Sequence, residues 1–212
     1  MGLFSYDSPF MNFLRKACEF MLTALLCILC CLPVITVGAS VTAQYYVGMK
    51  LVRGEDTPFC RAFFKSFKEN FKQATLIWLI EMALGAFLAW DWWLIYRNGG
   101  ENFNQTLKIL LALLTLFMVM AGIAIFPLIA RFKMTTKEAI KGALSFSYIH
   151  FFRMLFIVLL TVLPTIASIK YFNWLMAILP IGSGVALYIN SFHFMKTFKK
   201  LEEAIEQSHE ES

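Results

Sequence analysis

The residue best placed to do chemistry is a carboxylate inside an apolar segment. Glu81 lies within residues 74–96, about 13 Å of helix beyond Lys72. An unpaired carboxylate at that depth in a membrane is costly, so a partner or a function is expected. Two interpretations stay open: Glu81 is protonated or hydrogen-bonded to another helix and holds a bundle together, or it contacts a polar ligand or takes part in proton coupling. Its nearest candidate companions are Gln44, Tyr45 and Asn190.

Thiols and imidazoles offer little further chemistry. Three cysteines form a CxxCC cluster inside the first apolar run, and two more flank that run: Cys27, Cys30, Cys31, Cys18 and Cys60. We expect reduced packing residues, because no His or Cys pair elsewhere completes a zinc site. The histidines show no ligand spacing, and the chain has no GxSxG, P-loop or HExxH motif. The sequence therefore predicts a non-enzymatic protein with no metal and no cofactor.

Aromatic residues surround Asp91 near the end of the segment that holds Glu81, namely Trp90, Trp92, Trp93 and Tyr96. This composition is typical of the headgroup belt of a membrane protein. A sugar could also stack on such indoles beside a carboxylate, but aromatic belts are common and the signal is weak.

The elements that must position these residues are membrane segments. Of the 212 residues, 59% are apolar and only 16% are charged, which leaves too little polar surface to cover a water-soluble globule. Three runs hold no Asp, Glu, Lys or Arg, and residues 74–96 and 154–169 come close; the runs are 20–49, 109–130 and 171–195. About 20 apolar residues in a helix cross a hydrocarbon core of about 30 Å. We therefore predict a single integral membrane helical domain over residues 1–200, followed by an acidic cytoplasmic tail at 201–212.

The distribution of basic residues predicts the orientation. Lysines and arginines fill residues 50–72, 131–153 and 196–200, and loops rich in these residues are cytoplasmic. The protein is therefore expected in a bacterial cell membrane, with its C-terminus on the cytoplasmic side. The net charge of +5 belongs to these flanks, which suit anionic headgroups, so the expected partner is the lipid bilayer and not nucleic acid.

The N-terminal region leaves the number of segments open. Arg15 and Lys16 place the N-terminus inside, and Lys50 is inside too, so an even number of crossings must separate them. Residues 13–32 could go out, 33–38 could turn and 39–49 could return, although this return is short for a full span. We favour six segments over five with the N-terminus outside. Residues 15–39 also imitate a cleaved secretory signal, but the apolar pattern continues to Lys50 as in a retained segment.

Two amphipathic stretches are predicted to be cytoplasmic interfacial helices. The first follows Pro58 and places phenylalanines on one side and basic residues on the other. The second begins at Thr135, where Glu138 completes a capping box, and is expected to continue to Arg153. A weak internal repeat relates the two. The first stretch is the candidate docking surface for the inner leaflet or a partner, with residues Arg61, Phe63, Lys65, Phe67, Lys68, Phe71 and Lys72.

The fold class predicted from these patterns is all-α: a polytopic helical transmembrane bundle of five to six membrane segments with two cytoplasmic interfacial amphipathic helices. Prolines interrupt or end several apolar helices, namely Pro33, Pro127, Pro164 and Pro180. Such prolines shape a bundle by kinking its helices, or they break helices around a ligand cavity, as in transporters built from repeats.

Three motifs carry a resemblance to a known family. They are LPVITVGA at residues 32–39, AQYYV at 43–47 and RGED at 53–56, the last leading into the aromatic amphipathic stretch. With them the chain resembles, over nearly its whole length, the YesL-like family of small bacterial membrane proteins, which is defined by a domain of unknown function. The resemblance implies a companion of carbohydrate uptake, commonly encoded beside ABC-type oligosaccharide importers. It implies no catalytic residues.

Two functions are therefore expected from the sequence. The first is an accessory or regulatory component of carbohydrate ABC import, with an ABC sugar permease as its partner. The alternative is a small transporter or ligand-binding membrane protein with an intramembrane site around Glu81. The sequence does not determine the oligomeric state.

Overall fold

The computed structural model describes residues 9–55, 58–97, 104–170 and 189–198, and the elements within these ranges are helices. The predicted all-α class is confirmed for them. In chain order they are α1 (Pro9–Cys30), a 3₁₀ turn (Val34–Thr36), α2 (Val37–Val52), α3 (Phe59–Arg97), α4 (Gln105–Arg131), α5 (Thr136–Ile149), α6 (Phe151–Lys170) and α7 (residues 189–198). Most of the predicted segment 171–195 and all of the predicted tail 201–212 lie outside the described residues.

Helix α3 is continuous over 39 residues, about 58 Å. The prediction of a separate interfacial helix ahead of a span at residue 74 is therefore wrong. The first 26 residues of α3 contain neither Gly nor Pro. No residue between the amphipathic stretch and the apolar stretch favours a break, so one helix carries both.

Helix α5 has the predicted start and a different end. The Thr135 N–H donates to Glu138 Oε2 at 2.8 Å, and the Glu138 N–H donates to Thr135 Oγ1 at 3.4 Å, so the capping box is confirmed. The helix stops at Ile149 and does not continue to Arg153, because the chain turns through 103° at His150 before α6 begins. The bend separates α5, which carries Lys137, Glu138 and Lys141, from α6, which has no charged residue between Arg153 and Lys170.

Helices α3 and α4 form an antiparallel hairpin with a defined register. The rings of Trp78 and Phe126 lie 6.5 Å apart, and Trp92 Nε1 donates to Thr115 Oγ1 at 3.2 Å. In this register two pairs of charged residues lie at equal levels, Lys72 with Arg131 and Arg97 with Lys108. Between these levels α3 runs for about 37 Å, enough to cross a bilayer.

By length and composition, α3 and α4 are each able to span a membrane, and α5 with α6 form a bent pair that qualifies as up to one more span among the described residues. The prediction of five to six segments stays a prediction. The chain has the candidate spanning helices of a membrane protein.

Helix α2 packs along the first half of α3. The turn predicted after residue 32 is present, and α2 begins at Val37. Gly38 lies against Ala74 and Trp78, while residues 53–58 join the far end of α2 to the start of α3, so the two helices are antiparallel. One core cluster joins α1, α2 and α3, and a second joins α2 and α3 to α4, α5, α6 and α7.

Candidate intramembrane polar site

Glu81 lies near the middle of the apolar part of α3. It is about 14 Å of helix from Lys72 and about 15 Å from Asp91. Its carboxylate faces Gly122 of α4: a Cβ atom placed on Gly122 would be 3.3 Å from the Glu81 carboxyl carbon and from Oε1. The hydrogen side chain of Gly122 therefore makes the room that the carboxylate occupies.

Within the described residues Glu81 forms no hydrogen bond and no ion pair, and it is half-buried. Its surroundings are apolar: Trp78 packs on Phe126 one turn towards Lys72, and Leu79 and Met82 beside it are exposed on the outside of the helix. A carboxyl group here faces one helix on one side and lipid on the other. It can hold a proton, or it can accept hydrogen bonds from a cationic or hydroxyl-bearing molecule that enters beside α4.

The three predicted companions of Glu81 lie elsewhere. Tyr45 is buried between α2 and α7, with its ring edge-on to Phe194 at 6.0 Å. The Asn190 side chain interacts with the Tyr45 phenol, and Asn190 Nδ2 donates to Thr161 Oγ1 of α6 at 3.0 Å. None of these contacts involves Glu81. The structure therefore separates the predicted four-residue site into a carboxylate between α3 and α4 and a neutral group between α2, α6 and α7.

Gln44 belongs to the neutral side of this division. It is fully buried, and both its amide atoms lack a hydrogen-bond partner among the described residues, as does Asn190 Oδ1. Close packing surrounds it, since Gly48 one turn further along α2 abuts Ser191 of α7. Buried amides of this kind are usually paired, so Gln44 is the most costly polar side chain in the packed part of the molecule.

The predicted docking surface divides between surface and core. The four basic residues of the stretch are exposed: Arg61, Lys65, Lys68 and Lys72. Phe63, however, is fully buried in the core with Phe59, Ala43 and Val47, so it cannot belong to a docking surface. Phe67 and Phe71 are half-buried, with ring centroids 5.5 Å apart. Phe59 and Phe63 therefore pack inside the protein against α1 and α2, whereas Phe64 stays 44% exposed.

Two residues that contact these polar side chains were not identified from the sequence. Gly122 faces Glu81, and counting from the charges would have indicated it: Glu81 is nine residues from Lys72, and Gly122 is nine residues from Arg131. Thr161, the partner of Asn190, carries no comparable signal, because its pairing depends on how α6 and α7 approach each other.

Within the described residues no three His, Cys, Asp or Glu side chains are grouped closely enough to hold a metal ion.

A known protein family matches part of the chain. A family model described as "Protein of unknown function, DUF624" matches residues 20–92, which include the second half of α1, all of α2 and most of α3. Glu81, Gln44 and Tyr45 lie within the match. No curated protein and no solved structure gave a significant match.

Proposed function

We propose that this chain is a non-enzymatic, multi-pass protein of the bacterial cell membrane that acts as an accessory or regulatory component of carbohydrate ABC import. It binds an ABC sugar permease through the basic face of α3. The observation that carries the proposal is the exposed row Arg61, Lys65, Lys68 and Lys72 on a helix that continues past the charged level of Lys72. The association with sugar import comes from the resemblance of the sequence motifs to YesL-like proteins.

The placement of the row favours a protein partner over headgroups. Arg61 is about 16 Å of helix beyond Lys72, and Lys65 is about 10 Å beyond it. Charges at that separation from a membrane surface are largely screened at physiological salt, where the Debye length is about 8 Å. An acidic surface on a permease loop would complement the row directly and steer the encounter. In this proposal the Lys72 end, the C-terminus and α5 are cytoplasmic.

Copurification tests the docking proposal. Detergent-solubilised protein is expected to retain a permease subunit, and the double variant Lys65→Glu with Lys68→Glu is expected to lose most of it, about tenfold or more. The matched control changes the same net charge outside α3: Lys133→Glu with Lys137→Glu, both exposed, should copurify as the native chain does. If crosslinking in cells recovers lipids and no transporter subunit, the proposal is wrong.

A second function rests on a different observation, the Glu81 carboxylate against Gly122. In that case the chain is a small transporter or ligand-binding protein whose site lies between α3 and α4. Glu81→Gln keeps the shape of the side chain and removes its charge, so it should alter uptake of a labelled oligosaccharide or ligand affinity. Asp91→Asn, at the Trp-rich end of the same helix, is the matched control. Uptake and binding unchanged in Glu81→Gln would exclude this function.

A further inference from the structure

The turn between α1 and α2 is attached to α3 at a defined depth. Trp78 Nε1 donates to the Val34 carbonyl oxygen at 2.8 Å, and Gly38 lies against the Ala74 carbonyl. Trp78 is about 9 Å past the charged level of Lys72 and about 28 Å short of Arg97. The slab between the level of Lys72 and Arg131 and the level of Arg97 and Lys108 has few charged residues. The turn therefore lies inside this slab, close to the Lys72 face and far from the Arg97 face.

Helices α1 and α2, the two arms on either side of this turn, are short for a membrane crossing. From Lys16 to Leu32 is about 24 Å of helix, and from Lys50 back to Thr36 is about 21 Å. The hydrocarbon core is about 30 Å thick. With its basic residues held at the surface, neither arm carries the turn to the opposite face.

Several carbonyl oxygens of the turn have donors within the protein. The Thr36 hydroxyl shares its one proton between the carbonyl oxygens of Cys30 and Pro33, the Thr36 N–H donates to the Pro33 carbonyl at 2.9 Å, and Trp78 Nε1 donates to the Val34 carbonyl. A turn in water needs no such partners, because water supplies them. In hydrocarbon every exposed carbonyl without a partner costs several kcal/mol.

The side chains at the tip match the same environment. Leu32, Val34 and Ile35 are 75%, 55% and 57% exposed, and they flank Pro33. Exposed leucines on α1 lead up to them, at Leu25 and Leu29. A tip in water would leave this apolar patch uncovered, whereas acyl chains at the depth of Trp78 cover it.

We infer that α1 and α2 form a re-entrant hairpin, which enters the bilayer from the Lys72 side, turns among the acyl chains of that leaflet and leaves on the same side. The partner of the tip is lipid. This arrangement puts Arg15, Lys16 and Lys50 on one side of the membrane without any crossing between them. It therefore meets the requirement for an even number of crossings between Lys16 and Lys50. The inference rests on membrane insertion and is independent of the permease and of Glu81.

Thiol accessibility in intact cells and in inside-out membrane vesicles, which present opposite faces of the membrane to the reagent, tests the inference. In a chain whose five cysteines are replaced by serine or alanine, single cysteines are introduced as Ile35→Cys, Arg97→Cys and Lys65→Cys. A membrane-impermeant maleimide should label Arg97→Cys on one side and Lys65→Cys on the other. It should label Ile35→Cys from neither side, at least tenfold less than either control. Labelling of Ile35→Cys from the Arg97 side would show a crossing, and labelling from the Lys65 side would show a hairpin outside the lipid; each overturns the inference.

A photo-crosslinking experiment keeps the native cysteines, in case their replacement prevents folding. With p-benzoylphenylalanine incorporated at Ile35, irradiation in membranes should give lipid adducts. The same group at Lys65 is the control and should give few. Adducts to protein, or no adducts at all, at Ile35 would overturn the inference.

Discussion

The two halves of α3 differ in what surrounds them, and the difference runs against their composition. The first half, residues 59–77, carries the basic residues, yet it buries Phe59, Phe63, Ala74 and Ile77 against other helices. The second half is more apolar, yet it exposes large side chains along most of its length, namely Leu79, Ile80, Met82, Leu84, Phe87 and Trp90. Its buried residues, Leu88 and Ile95, lie in the part of α3 that pairs with α4.

This contrast teaches that apolar character marks the lipid-facing region and not the packed core. Lipid tails are as apolar as leucine, so the hydrophobic effect does not drive helices together inside a bilayer. Where α3 leaves the slab, its phenylalanines meet water unless another helix covers them, and α2 does so. The amphipathic first half of α3 therefore packs against other helices, and the apolar second half contacts the membrane.

The largest expected effect comes from adding one methyl group to α2 where it contacts the packed half of α3. A Cβ on Gly38 would lie 2.5 Å from the Ala74 carbonyl oxygen and 2.7 Å from Trp78 Cβ, and neither atom can move without shifting α3. Gly38→Ala should lower the free energy of unfolding by about 3 kcal/mol, the upper end for overpacking. Equilibrium unfolding of the detergent-solubilised protein measures this.

The same substitution in the exposed half is the control. Gly85 has open space around its Cβ position, so Gly85→Ala should leave stability unchanged or raise it by up to about 1 kcal/mol. Equal losses in Gly38→Ala and Gly85→Ala would mean that the second half is packed against protein too, and the comparison of the two halves would fail.

Two buried amides on other helices of the packed core, Gln44 of α2 and Asn190 of α7, give smaller effects that differ from each other in direction. Asn190→Leu removes the hydrogen bond to Thr161 and should cost about 0.5–2 kcal/mol, the range for bonds between membrane helices. Gln44→Met replaces an amide that has no partner among the described residues by an apolar side chain of similar size, and should leave stability unchanged or raise it.

Thermal unfolding of both variants in one detergent makes this comparison. If Gln44→Met lost as much stability as Asn190→Leu, the amide of Gln44 would have a partner in the native protein, such as a bound water or ligand. The packed core would then contain a polar site of its own.

Sequence reasoning located the polar residues and the helices better than it located their contacts. The depth of Glu81 followed from its distance to Lys72, and the capping box at Thr135 followed from local chemistry that tertiary structure does not change. The grouping of Glu81 with Gln44, Tyr45 and Asn190 stays a prediction, because the contacts seen for Tyr45 and Asn190 are with each other and with Phe194 and Thr161. The depth of a residue in the membrane does not determine which face of its helix the residue occupies, and therefore not which helix it contacts.

The two errors at helix ends have the same origin. The boundary expected near residue 73 separates an amphipathic pattern from an apolar one, but helix formation responds to backbone propensity, and no Gly or Pro marks a stop there. The bend at His150 likewise has no proline or glycine to announce it. In both places the pattern changes from amphipathic to apolar, and that change does not determine whether the helix ends: α3 continues through it, whereas α5 ends at it.

The smallest expected effect concerns α5, which packs on α4 and buries Ala139, Ala143 and Phe146. Thr135→Ala removes its N-cap and should cost about 1 kcal/mol. The loss should appear as faster amide hydrogen exchange in α5, with residues 79–97 of α3 unchanged. Faster exchange in both places would show that the exposed half of α3 also depends on this packing.

Acidification should weaken the same cap. The Thr135 N–H, with the Thr135 side chain as a second contributor, holds the pKa of Glu138 below its ordinary value of 4.5. A carboxyl group whose pKa is lowered by folding stabilises the folded state above its ordinary pKa, and this contribution is lost as the pH falls through the lowered value. Exchange in α5, corrected for the intrinsic slowing of amide exchange at low pH, should therefore accelerate below about pH 4.5 in the native chain. In Glu138→Gln that acceleration should be absent, because the amide does not titrate; if it persists, another acid controls α5.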